Sequence, residues 1–225
     1  NIIYQQMATS NRYQNLNEFL KAHKTQKSEA TDKPVTHTRI GSTKLGIYGG
    51  SYHIPDSSKA EFYRHYHSLV ISRKKPEYLT EKQLDETGPI AIDMDFRYKP
   101  DIQTRQHSKD HIIDILERYM ANIQTMLNID GEQPIDVFVF EKPNVNTTNE
   151  EYTKDGIHMI IGVQMDRTMQ VMLREKILED IGNVWQDIPI KNTWEDVLDE
   201  GISKGPTNWQ MYGSKKPENQ CYKLK

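Results

Sequence analysis

Cysteine is almost missing from this chain. Cys221 is the only one in 225 residues, which excludes an internal disulfide and any zinc site built on several thiolates. A reducing, intracellular setting is the natural expectation. Long apolar runs are also missing. No stretch approaches the roughly 20 residues needed to cross a bilayer, so no membrane partner is expected. No secretory leader is visible, and the chain starts at Asn1 rather than Met, so it reads as a piece of a longer protein. An excess of positive charge is absent as well. The net charge is −3 and the pI about 6.3, a balance that counts mildly against a nucleic-acid binder. A local positive groove would not show in that sum, and acidic metal ligands would mask part of it. Finally, there is no glycine-rich phosphate loop, no Gly-x-Ser-x-Gly nucleophile turn and no internal repeat.

What is present is a polar but foldable chain, 36% hydrophobic and 27% charged. Its length suits one large domain or two small lobes sharing a core. The spacing of Leu16, Phe19, Leu20 and His23 predicts a short helix, and residues 24–36 read as a loop. Residues 37–54 look like a hairpin, with a turn between Gly41 and Gly46 and a close backbone approach at Gly49-Gly50. A helix is predicted over 58–73 with a Ser58/Glu61 capping box. Gly88 to Arg97 reads as a strand, and 107–128 as the strongest helix. Residues 135–141 and 156–163 read as strands. Residues 168–181 read as a helix with Met172, Leu173, Ile177 and Ile181 inward, and 194–202 as another helix. Residues 208–212 and 221–224 close the pattern as short strands. The order from Gly88 onward implies an α+β fold: an RRM-like antiparallel sheet with helices on one face, spanning 88–225. A smaller N-terminal α/β lobe would span 1–87.

Four segments can carry chemistry. In the strand from Pro89 to Arg97, alternation turns Ile90, Ile92, Met94 and Phe96 to one face and Ala91, Asp93, Asp95 and Arg97 to the other. Two like charges side by side repel, and a divalent cation would resolve the repulsion. A plain solvated strand end is the alternative. In Lys154-Asp155-Gly156-Ile157-His158, the histidine interrupts an apolar strand just after a glycine that leaves space beside it. A phosphate would suit that place, with Lys154 adding charge, and so would a core histidine bonded to a carbonyl. Asp199, after Val197-Leu198, either completes an acidic triad or is an ordinary surface acid. The turn Tyr212-Gly213-Ser214-Lys215-Lys216 offers amides, a hydroxyl and two lysines to a triphosphate, or is a lysine-rich surface turn. His107 and His111 have the i, i+4 spacing that can clip a metal, but they are better read as a solvated helix start.

Taken in order, Asp93-Met94-Asp95, Gly156-Ile157-His158, Leu198-Asp199 and Tyr212-Gly213-Ser214-Lys215-Lys216 resemble the signature of the archaeo-eukaryotic primase superfamily. The likeness is greatest to the primase domains at the front of primase–helicase proteins of large DNA viruses. It spans residues 93–216 and covers the first 87 residues only loosely. The resemblance implies template-directed nucleotidyl transfer, making and extending primers on single-stranded DNA. It implies two Mg²⁺ or Mn²⁺ ions on Asp93, Asp95 and Asp199. The nucleoside triphosphate would be held by Lys154, Gly156 and His158 and gripped by Ser214 and Lys216. It further implies a helicase domain downstream and a viral replication site in the host cytoplasm or nucleus. There are two departures. Cellular relatives carry arginines where this chain has Thr207, Asn208 and Gln210, so Lys204 or Lys215 would have to serve. Gly156 stands where many relatives have serine, which removes a hydroxyl donor. Tyr48, Tyr52 and Arg73 are candidates for the template surface by residue type. Two other readings compete: a metal-dependent glycosyltransferase using the Asp-x-Asp, and a non-catalytic RRM-like nucleic-acid-binding module.

Overall fold

A computed structural model describes residues 12–25, 33–128 and 134–225. The elements run α1 (Leu16–Ala22), β1 (Lys24–Thr25), β2 (His37–Arg39), β3 (Gly50–Tyr52), α2 (Asp56–Tyr66), a π-helical turn (His67–Ser72), β4 (Leu79–Lys82) and β5 (Thr87–Tyr98). They continue with α3 (Lys109–Leu127), β6 (Val137–Glu141), β7 (Thr153–Asp166), α4 (Arg167–Leu178), α5 (Ile181–Val184), α6 (Trp194–Val197), α7 (Glu200–Lys204), β8 (Asn208–Gln210) and β9 (Lys223–Leu224). Two antiparallel sheets result, ordered β1-β3-β2-β4-β8 and β5-β7-β6-β9. The fold is α+β. Within the second sheet, the sequence β-α-β-β-α gives the strand order β5-β7-β6, the RRM-like arrangement with its helices on one face.

Alternation along β5 drives this packing. Ile90, Ile92, Met94, Phe96 and Tyr98 are buried against Ile115, Tyr119 and Ile123 of α3 and Leu173 and Ile177 of α4. The opposite face of the sheet is left for polar residues. A second cluster is built from Leu16, Phe19, Leu20, Tyr52, Ile54, Phe62 and Leu79, together with Met211 from far along the chain. Met211 is there because β8 pairs with β4 (Glu81 opposite Trp209), so residues 208–210 belong to the first sheet. The cleft between the sheets is therefore spanned by one continuous stretch of chain.

Several local expectations change. α2 begins at Asp56 behind Pro55 with no side-chain cap, so the Ser58/Glu61 box does not form. The capping box is at α3, where Ser108 and His111 cap each other. Met172 points outward at 55% exposure. Lys24 and Thr25 pair with β3 as a short strand rather than a loop, and residues 26–32 of that expected loop lie outside the described residues. His107 is not solvated. It is 5% exposed, lies between Glu141 and Asp155, and stacks on Phe96.

The expected helix over 194–202 is broken into α6 and α7, and the break has a cause. Leu198 takes an extended conformation and bridges to Met94, while the Asp199 amide donates to the Asp93 carbonyl at 3.0 Å. Upstream, Asn192 donates to the Asp95 carbonyl and accepts from the Arg97 amide, both at 3.0 Å. Residues 190–199 thus satisfy the outer edge of β5, which would otherwise be unpaired. Arg174 on α4 fixes this segment: its buried guanidinium donates to the Leu198 carbonyl at 2.8 Å and the Glu195 carbonyl at 2.9 Å. Among the described residues no helix is long and apolar enough to cross a membrane.

Arg174→Ala should therefore loosen the segment that carries Asp199 and cost about 2–4 kcal/mol, the scale of lost hydrogen bonds from a charged donor. Urea unfolding measures the loss, and amide exchange at 198–199 shows where it falls.

Candidate active site

A cleft of about 270 Å³ opens between the polar face of the second sheet and β8. The antiparallel pairing of β5 with β7 sets its floor: Asp93 lies opposite His158, and Asp95 opposite Gly156. Residues 65 and 61 positions apart in the chain become neighbours in this way. His158 Nε2 is 3.3 Å from Asp93 Oδ1, and Lys154 Nζ is 2.9 Å from Asp95 Oδ2. Asp199, Lys142, Lys216, Trp209 and Tyr222 complete the walls, and Thr207, Asn208 and Gln210 also line the cleft.

The electrostatics are balanced but tense. Three carboxylates (Asp93, Asp95, Asp199) face three ammonium groups (Lys142, Lys154, Lys216). Burial pushes the Asp93 carboxyl up, but His158 beside it and Lys216 and Lys154 beyond outweigh burial and hold it below its usual range. Burial pulls the Lys142 ammonium below its usual range, and the positive charges of Lys154 and Lys216 reinforce this. Asp93 stays charged although its buried Oδ1 has only the His158 imidazole beside it, at 3.3 Å and outside good hydrogen-bond geometry. A buried anionic oxygen with so little compensation is costly. A hard divalent cation, which takes oxygen ligands, suits Asp93 and Asp95. The Oδ1 of Asp199 accepts from the Gly201 amide at 2.8 Å, which caps α7. Among the described residues, no three acidic or histidine side chains already converge as a metal cage.

The other expected site residues divide. Lys216 is at the cleft. Ser214 is 1% exposed, and its hydroxyl bonds Tyr66 Oη at 2.8 Å and accepts from the Leu79 amide at 3.1 Å. It anchors the turn to α2 and β4 and does not line the cleft. Lys204 pairs with Glu200 on its own helix. Tyr52 is buried in the first core, whereas Tyr48 is 88% exposed.

Three residues escaped the sequence reading. Lys142 follows β6, and its ammonium lies 4.9 Å from the Tyr222 ring centroid. Tyr222 stacks on His158, with centroids 3.6 Å apart and planes at 20°. Trp209 packs on the same imidazole at 4.6 Å. Lys142 and Tyr222 are isolated residues beside strand ends, with no motif around them. Trp209 lay in plain view in a short strand, but nothing in its sequence neighbourhood points to His158.

Behind the sheet, a buried charged network holds the floor in place. Arg105 donates to both Asp155 oxygens at 3.0 Å and to the Lys142 carbonyl at 2.8 Å. It also pairs with Glu141, as His107 does. The network pins the backbone on either side of Lys142 and Gly156.

An open antiparallel sheet that sets an Asp-x-Asp pair beside a histidine and a ring of lysines defines a primase-type domain. The family described as the C962R protein N-terminal AEP domain, a branch of the archaeo-eukaryotic primases, matches residues 41–225, and the chain belongs to it. The chain is also 30% identical, over 213 residues and 93% of its length, to a protein of Acanthamoeba polyphaga mimivirus that carries the name "Putative helicase L207/L206". It spans about a fifth (21%) of that protein.

Glu141 yields a pH test. Burial opposes its charge, but His107, Arg105 and Lys225 overcome burial and lower its carboxyl from 4.5 to about 2. A depressed carboxyl contributes stability that is fully present above the unfolded value and is lost as pH falls through the folded one. Wild-type urea midpoints should therefore fall between about pH 4.5 and 2, and Glu141→Gln should flatten that part of the profile.

Proposed function

We propose that this primase-type domain performs template-directed nucleotidyl transfer, making primers on single-stranded DNA and extending them. The observation that carries the reading is the cleft itself, where Asp93 and Asp95 lie beside His158 and face Lys142, Lys154 and Lys216. Asp93 and Asp95 would hold Mg²⁺ or Mn²⁺, and Asp199 would join through its Oδ2. Two such ions, about 3.5–4 Å apart, activate a 3′-hydroxyl and stabilise the departing pyrophosphate. The three carboxylates are already matched by three ammonium groups, so a triphosphate entering with two divalent ions leaves the cleft near neutrality.

The chain's own side chains position and neutralise. Lys154 sits at Asp95 and reaches a phosphate by a small swing of its stem. His158, packed against Tyr222 and Trp209 with Nε2 toward Asp93, would be held in one orientation beside the nucleotide. Lys216 and the half-buried Lys142 complete the phosphate wall. No covalent nucleophile is needed, because transfer of this kind rests on positioning and charge.

For the template, a hollow of about 430 Å³ adjoins the cleft across His158, Trp209 and Tyr222, and is lined further by Phe140 and Tyr212. Unpaired bases stack on such aromatic surfaces without regard to sequence. Exposed Tyr48 and Arg73 would meet the strand farther out. A helicase region elsewhere in the full protein, and action at viral replication sites in the infected cell, extend the same reading from the mimivirus relative.

Primer synthesis on single-stranded DNA, with ribo- or deoxynucleotides and Mg²⁺ or Mn²⁺, is the direct test. Asp93→Asn combined with Asp95→Asn should reduce product to background while leaving the fold and DNA binding in place. Undiminished synthesis by that variant would sink the mechanism. DNA binding by wild type with no affinity for triphosphates would instead favour a non-catalytic nucleic-acid module.

A further inference from the structure

Gly156 and Tyr222 compete for one small volume. A Cβ placed on Gly156 would lie 2.7 Å from the Tyr222 hydroxyl oxygen, 3.1 Å from the Met94 carbonyl oxygen and 3.4 Å from Asp95 Oδ1. The tyrosine hydroxyl therefore stands in the space that any other residue at 156 would fill, directly beside a cleft carboxylate. Its ring has two close neighbours. The imidazole of His158 stacks on it at 3.6 Å, and the Lys142 ammonium lies 4.9 Å from its centroid. Pairing of β9 with β6, Glu141 opposite Lys223, fixes the backbone next to it.

Tyr222 is 9% exposed, and its hydroxyl, which makes no hydrogen bond with any described residue, is not among the fully buried unpaired atoms and so keeps some contact with the open cleft. Burial raises the phenol's pKa, and the Asp93, Asp95 and Asp155 carboxylates raise it further. A tyrosine hydroxyl is in any case a neutral O–H donor near neutral pH. A donor that lines the cleft together with Lys142, Lys154 and His158, beside Asp95, is placed to meet an anionic oxygen of a bound ligand.

We propose that Tyr222 is a nucleotide-binding residue, whose hydroxyl donates to a phosphate oxygen of the nucleoside triphosphate from the space that Gly156 leaves open. The assignment rests on the nucleotidyl-transfer reading above. It makes residue 156 and residue 222 alternative sources of one hydroxyl, and it explains why a glycine is needed opposite Asp95.

The test is a reciprocal pair of substitutions in the 225-residue chain. Binding of a Mn²⁺-complexed nucleoside triphosphate is measured by calorimetry, with thermal unfolding as a folding control. Tyr222→Phe keeps the ring on His158 and should weaken binding about tenfold or more, the effect of one hydrogen bond to a charged acceptor. Gly156→Ser alone should also weaken binding, because the new side chain meets the Tyr222 hydroxyl. Gly156→Ser combined with Tyr222→Phe should bind more tightly than either single variant. In that double variant the serine supplies the hydroxyl, and its tightest neighbour is the Met94 carbonyl. Relief of the clash alone would lift the double variant above Gly156→Ser but not above Tyr222→Phe, so tighter binding than Tyr222→Phe is the diagnostic result. Equal affinity of Tyr222→Phe and wild type would overturn the assignment, as would a double variant weaker than both singles. If wild type itself fails to bind the triphosphate, the nucleotidyl-transfer reading falls, a result distinct from either of these.

Discussion

The pairing of β5 with β7 is the constraint on which the rest of this structure depends. It sets Asp93 against His158 and Asp95 against Gly156 on a face that the hydrophobic core does not use. Like charges on one strand face repel, and burial adds to the cost. The structure meets that cost from the partner strand, with Lys154 on Asp95 and His158 near Asp93. The core beneath lets it do so. Buried Ile92, Met94 and Phe96 lock the register, and a slip of one residue would turn both carboxylates into the apolar interior.

The rest of the cleft is assembled from chain ends and connections. Residues 190–199 lie along the open edge of β5, and Arg174 holds them there, which brings Asp199 to Asp93. β8 crosses to the first sheet and supplies Trp209. β9 closes on β6 beside Tyr222. The polar network of Arg105, His107, Glu141 and Asp155 braces the strands from behind. Removing one member would leave buried charge unpaired, so the site is supported by groups that never meet a ligand.

Periodicity made much of this legible. The alternation over Ile90 to Phe96 correctly separated the core face from the face bearing Asp93 and Asp95. The same rule placed Lys154, Gly156 and His158 together, and the β-α-β-β-α order gave the fold class. Local pattern failed where tertiary contacts overrode it. The helix expected over 194–202 breaks because Leu198 and Asp199 bond to the edge of β5. His107 has the surface spacing of a helix start, yet it is buried by Glu141 from another strand. Ser214 sits in a turn that looks built for phosphate, but Tyr66 and Leu79 claim its hydroxyl.

By itself, the sequence determined which residues share a face, because strand alternation is a property of the backbone and needs no partner. It thereby placed Asp93 and Asp95 on one face, and the order of the four motifs pointed to the family to which the chain belongs. Only the tertiary structure decided what stands around them. Lys142, Trp209 and Tyr222 reach the site from three separate strand ends, through pairings that join residues far apart in the chain. No local spacing encodes those pairings. The space beside Gly156 is the clearest case: the glycine is plain in the sequence, but the tyrosine hydroxyl that occupies its missing side chain comes from 66 residues further along.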